Sequence, residues 1–196
     1  EDILTGQEAV SIAAYLRRLE PAQRPRLVER LLVHVLSTAR VTSLEPPVLK
    51  ANDSLVLRYG FEADVGERMD LGLFPLRPGH TFAALPERDT ALYLDLPARH
   101  ELNVSISSET PLFTASKTER ARWGEHSFER RVEASPTALS ISANLVVSGG
   151  LITPDRYPDF RAWAHAVNLL ERVSVSRSAS ESSSIKPGGT EMAEAR

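Results

Sequence analysis

The sequence predicts a mainly β fold of the α+β class: an antiparallel, Ig-like β-sandwich, preceded by a helical pair and followed by a C-terminal helix. Three observations lead there. Apolar residues recur at helical spacing between Ala9 and Leu36. From Ser54 to Gly149 the rhythm changes to alternation with a period of two. A helical rhythm then returns after Thr153. These changes divide the 196 residues into a helical pair (1–37), a sandwich (38–150), a helix packed on it (151–173) and a disordered tail (174–196).

The elements follow in order. Thr5-Gly6-Gln7-Glu8 fits a capping box, in which Thr5 accepts from a first-turn N–H and Glu8 reaches back. Ala9, Ile12, Ala13 and Leu16 form the first apolar stripe, and Glu20-Pro21 breaks it. A second helix is predicted to begin between Gln23 and Pro25, with Leu27, Val28, Leu31, Leu32, Val35 and Leu36 as its stripe. A short strand is expected over 40–44, then turns at Glu45-Pro46-Pro47 and Asn52-Asp53. Alternation starts with Leu55, Leu57, Tyr59 and Phe61. Further strands are predicted over 69–75, 91–96, 101–107, 112–122, 126–134 and 138–147. About seven strands with short links argue for an antiparallel sandwich, and no helical pattern interrupts them to suggest a parallel sheet. Tyr157-Pro158 opens the last helix, whose buried face is predicted to carry Phe160, Trp163, Ala164, Val167 and Leu170. The Ser-, Gly- and Glu-rich stretch from Ser174 has too little apolar area to offset the entropy of ordering.

Composition narrows the chemistry. A net charge of -3 gives no basic field for a nucleic-acid backbone, so no nucleic-acid partner is expected. Without cysteine, the chain itself has no thiol nucleophile, disulfide, iron–sulfur cluster or cysteine-held zinc. No apolar run reaches the roughly 20 residues that span a bilayer. The start at Glu1, with neither methionine nor signal sequence, reads as a cut or processed end of a longer polypeptide.

No catalytic, cofactor or metal residue is predicted. The five histidines (His34, His80, His100, His126 and His165) show no paired metal-ligand spacing. No Gly-x-Ser-x-Gly elbow occurs; Ser148, before Gly149-Gly150, comes nearest and reads as a flexible strand exit. Glu87-Arg88-Asp89 reads as a solvated charged loop, with a carboxylate pair that acts as acid and base or holds a cation as the other reading, and Arg88 there can anchor the loop by forking onto a carboxylate or backbone carbonyls. Arg17 and Arg18, with Arg24, Arg26 and Arg30, give the helical pair a basic side that an acidic partner or anionic lipid would meet, or that is simply solvated. Trp163 falls on a buried phase, whereas Trp123, before Gly124 at a hairpin tip, is the candidate for exposed stacking on a sugar or peptide. Arg17, Arg18, Arg88 and Trp123 are thus the candidate binding residues.

Four stretches in order carry a resemblance. Gly6-Gln7-Glu8-Ala9 with Tyr15-Leu16-Arg17 comes first, then Asn52-Asp53-Ser54-Leu55-Val56-Leu57-Arg58-Tyr59. Glu87-Arg88-Asp89-Thr90-Ala91-Leu92-Tyr93-Leu94 and Ile152-Thr153-Pro154-Asp155-Arg156-Tyr157-Pro158-Asp159-Phe160-Arg161 follow. Together they resemble the C-terminal β region of bacterial transglutaminase-like proteins with a papain-like core, over roughly residues 5 to 173. The resemblance implies a non-catalytic accessory domain of the periplasm or cell envelope. Such a domain positions the core, in the missing N-terminal part of the same chain, or binds a protein partner. That core works through a cysteine, a histidine and an aspartate; a chain without cysteine inherits none of these roles. The other readings are a carbohydrate- or peptidoglycan-binding sandwich, and a hydrolase whose site is assembled from distant residues.

Overall fold

The structure is a computed structural model and describes residues 1–5, 7–32, 38–51, 53–63, 66–74, 76–95 and 97–177. Strand β1 (Asp2–Thr5) leads into helix α1 (Gln7–Arg18). A 3-10 turn at Pro21–Gln23 then passes to α2 (Arg24–Leu32). The helical pair is therefore present, and the break at Glu20-Pro21 is where expected. Arg24 fixes the joint: its Nε donates to the carbonyls of Leu16 (3.1 Å) and Leu19 (3.3 Å) at the end of α1. The proposed capping box involves side chains outside the described residues, except Thr5. Thr5 closes a strand, and its hydroxyl donates to the Arg99 carbonyl at 3.4 Å.

The strands continue with β2 (Ala39–Leu44), β3 (Val48–Leu49), β4 (Leu55–Leu57), β5 (Tyr59–Ala63) and β6 (Arg68–Gly72). A one-turn helix α3 (Pro78–Thr81) interrupts the β region. Then come β7 (Leu92–Leu94), β8 (Ala98–Ser107), β9 (Lys117–Trp123), β10 (His126–Ser135), β11 (Ala138–Val147) and β12 (Gly150–Ile152). Helix α4 (Tyr157–Leu170) and strand β13 (Arg172–Ser176) end the described chain. Residues 174–176, expected in a loose tail, therefore belong to a strand paired with β6; most of that stretch, 178–196, lies outside the described residues.

The fold is α+β and mostly antiparallel. Seven strands form one sheet in the order β3-β4-β1-β8-β11-β10-β9, and β2–β5, β6–β13 and β7–β12 form two-stranded ribbons. The pairings give one large sheet rather than the expected sandwich of two. The reason lies in the alternation along β8, β10 and β11. One phase is apolar, with Leu102, Phe128, Leu139, Ile141 and Leu145 all buried. The other exposes Ser105, Ser140, Ser142, Arg131 and Glu133 and has little apolar area to bury against a second sheet. The apolar face is covered instead by α4 and the β6–β13 and β7–β12 ribbons, which share its core.

A smaller cluster joins α1 (Ala9, Ala13, Leu16) to Leu4, Leu55 and Leu57. Leu4 stands opposite both Leu55 and His100, so α1 lies on the same side of the sheet as α4. Strand β1 thus sits inside the main sheet, and the helical pair is rooted in it rather than appended to it. The alternation starting at Leu55 is not one strand either. It divides at Arg58, with Leu55–Leu57 pairing in the main sheet and Tyr59–Ala63 pairing with β2.

Candidate functional site

The β9–β10 hairpin positions a polar concavity on the covered face. Gly124, at φ +56°, takes the first position of a two-residue turn, the place a type II′ hairpin reserves for glycine. That turn sets the register, with Trp123 opposite His126, Ala121 opposite Phe128, and Glu119 opposite Arg130. All of these side chains point to the covered side of the sheet.

Arg130 therefore occupies an apolar phase of β10, between Phe128 and Val132, with its side chain only 2% exposed. A buried guanidinium is tolerated only where its donors find acceptors. Nη2 pairs with Glu119, and Nη1 donates to the Arg172 carbonyl, just beyond α4, at 2.5 Å. Nε is buried without a hydrogen-bond partner. Burial brings the Arg130 pKa down to about 10, so the group stays cationic at neutral pH. Glu119 also accepts from Lys117 Nζ at 2.9 Å. Burial and the neighbouring Arg130 charge lower the pKa of Lys117.

Around this pair lies a cleft of about 380 Å3 between β9, β10 and β13. Arg68, Asp70, Lys117, Glu119, Arg130, Arg172 and Ser174 line it together with Phe113 and Leu169; Val132, Val173 and Val175 border it but are buried in the core. Asp70 lies 3.6 Å from Arg68 Nε and accepts from the Ser174 hydroxyl at 2.5 Å. The arrangement offers fixed positive charge beside an apolar surface. That chemistry suits holding an anion more than moving a proton.

A second buried charge lies behind it. Glu171, 1% exposed, caps α4 and sits 3.4 Å from Arg77 Nε. Burial raises its pKa to about 7 against the pull of Arg77 and Arg172. A carboxylate at a helix carboxyl end also faces the negative pole of the helix.

The residues singled out in the sequence are scattered. Trp123 is half-buried rather than exposed. Its ring packs 5.2 Å from His126 and 5.5 Å from Phe160, and the Arg156 guanidinium lies 4.9 Å over it. Arg88 is half-buried in the loop after α3, with its guanidinium 5.7 Å from the Tyr157 ring centre. That placement fits an anchoring role, though through a ring rather than the expected carboxylate or carbonyl fork. Arg17 and Arg18 are exposed in the last turn of α1.

His126 is buried among Trp123, Phe160 and Trp163, where burial lowers its pKa. Its Nδ1 accepts from the Ser148 backbone N–H at 3.2 Å, which leaves the proton of the neutral ring on Nε2. The Ser148 hydroxyl donates instead to the Glu125 carbonyl, so His126 is not set up to activate it. His100 is buried edge-on to Phe74, and His165 Nε2 donates to the Ala83 carbonyl at 3.0 Å. His80 is exposed, and His34 lies outside the described residues. Among the described residues, no group of three or more His, Asp or Glu side chains could hold a metal ion.

Sequence reasoning missed Arg130 and Glu119. A signal existed: both are charged residues on the buried phase of an alternating strand, and the Gly124 turn sets them opposite one another. A scan against models of known families, a search of curated proteins and a search of solved structures each gave no match.

Proposed function

We propose that this chain is an accessory and interaction domain of a bacterial transglutaminase-like envelope protein, positioning the papain-like core of that protein by direct contact. The observation that carries the interaction reading is on the β7–β12 ribbon. Tyr93 and Leu151 stand opposite each other there and are 65% and 62% exposed. An aromatic and an aliphatic side chain paired in solvent form the kind of apolar anchor that protein contacts bury. Tyr93 also lies within one of the four stretches that carry the resemblance, which ties the anchor to the family reading. The core is the occupant this reading commits to; a different protein partner would be an outcome of the test.

The test is calorimetric titration of the chain with a transglutaminase-like core domain of the implied class, repeated with a Tyr93→Ser/Leu151→Ser variant. Saturable binding by the wild-type chain, weakened about tenfold or more in the variant, is expected. No binding by the wild-type chain, or equal binding by the variant, overturns the proposal. The placement of Trp123 beneath Arg156 and against Phe160 does not favour the carbohydrate reading, which needs an open ring face.

A further inference from the structure

The geometry points to a ligand site in the cleft between β9, β10 and β13: it binds a small amphipathic carboxylate. The anionic head would sit by Lys117, Arg130 and Arg172, with a short apolar body against Phe113 and Leu169. This goes beyond the accessory role and involves different elements from the Tyr93–Leu151 anchor.

Charge is the first support. Arg68, Lys117, Arg130 and Arg172 line the cleft against only Asp70 and Glu119, leaving two positive charges in excess. The chain as a whole carries -3, so the excess is local and not the average field. The second support is pre-organisation. Arg130 is held by Glu119 and the Arg172 carbonyl with its side chain 2% exposed, so its charge acts on the cleft from a fixed position. An arginine already fixed loses little freedom when it meets an anion. Lys117 is the third. Its ammonium is disfavoured by burial and by Arg130, and an arriving anion counters the Arg130 repulsion.

The walls decide the class of anion. Leu169 is 78% exposed on the last turn of α4 and lines the same cleft as the half-buried Phe113. A purely polar ion would leave that apolar surface wet. Asp70 and Glu119 oppose a highly charged ligand, and two excess positive charges suffice for one carboxylate. The volume of about 380 Å3 falls in the range of small-molecule sites.

The experiment is a titration of the 196-residue chain followed by amide chemical shifts, with hexanoate as the probe. Hexanamide and inorganic phosphate test body and head separately. Saturable shifts in β9 and β13 are expected with hexanoate, with at least about tenfold weaker binding of hexanamide. Phosphate should bind more weakly than hexanoate, and Lys117→Met and Arg172→Met should each weaken hexanoate severalfold. Both replaced side chains reach solvent, so these variants test the site without emptying the core. Absence of saturable shifts, equal binding of hexanamide, or unchanged affinity in both variants overturns the site. Phosphate binding as tightly as hexanoate overturns the amphipathic assignment. None of these results bears on the Tyr93→Ser/Leu151→Ser titration, so the two proposals fail separately.

Discussion

At the turn end of the β9–β10 hairpin, Trp123 and His126 stand opposite each other and pack beneath Phe160 and Trp163 of α4. Four residues further along the same strands, on the same face, Glu119 stands opposite Arg130. The first end lies under the body of the helix, so rings fill it. The second lies where α4 runs out at Leu170, and beyond it the chain passes to Arg172 and β13. Charged groups can be held there because the Arg172 carbonyl and partly solvated carboxylates are within reach. One face of one hairpin thus holds two chemistries, separated by how far a single helix extends.

The largest expected effect comes from the aromatic end. Trp163→Ala should cost about 3–5 kcal/mol in denaturant unfolding, because it empties a cluster shared by three elements. A loss below about 1 kcal/mol would mean that α4 does not cover this end.

Next is pH at the other end. The Glu171 pKa, raised from 4.5 to about 7, means that the folded state binds a proton more tightly than the unfolded state. Its stabilising contribution is complete below pH 4.5 and is lost as pH rises through about 7. The loss totals ~3 kcal/mol. Glu171→Gln should flatten this part of the stability–pH curve and leave the variant more stable than wild type at pH 8. An unchanged slope between pH 5 and pH 8 would remove Glu171 as its source.

Breaking the ion pair is expected to matter less. Arg130→Met should cost about 2 kcal/mol, below the figure for a fully buried pair, because Glu119 keeps Lys117 and some solvent. Arg130→Met combined with Glu119→Leu should recover to within about 1 kcal/mol of wild type. Additive losses in this double-mutant cycle would show that the two side chains act independently. The smallest effect belongs to the turn: Gly124→Ala should cost about 1 kcal/mol from the positive φ alone, since nothing lies within 4 Å of the added methyl. Thermal unfolding resolves that difference.

Much of the frame is readable from residue spacing. The 138–147 strand, the helix opened by Tyr157-Pro158 and the two N-terminal helices, the second as far as Leu32, are where their apolar periods place them; Val35 and Leu36 lie outside the described residues. Their signals are local and repeated over several turns or strand pairs. Asp2–Thr5 offered too few residues for a pattern, yet it sits in the middle of the sheet. In sequence terms the strand at Arg172–Ser176 divides between the last helix segment and a Ser-rich tail from Ser174, and its partner, β6, lies about a hundred residues away. The site was less readable than the frame. Arg130 departs visibly from its strand's apolar phase, but the acceptor that makes its burial tolerable, the Arg172 carbonyl, belongs to backbone brought in by α4.

By itself, the sequence determined where the chain is helical and where it alternates, because those periods arise from side-chain direction along a local backbone. It also determined that one face of the central strands is polar, through the serines and charges of β8, β10 and β11. Only the tertiary structure decided that this polar face leaves a single sheet, that Trp123 lies under Arg156, and that Arg130 closes on a distant carbonyl. These outcomes depend on which remote segments compete to cover one apolar surface, and spacing along the chain does not encode that competition.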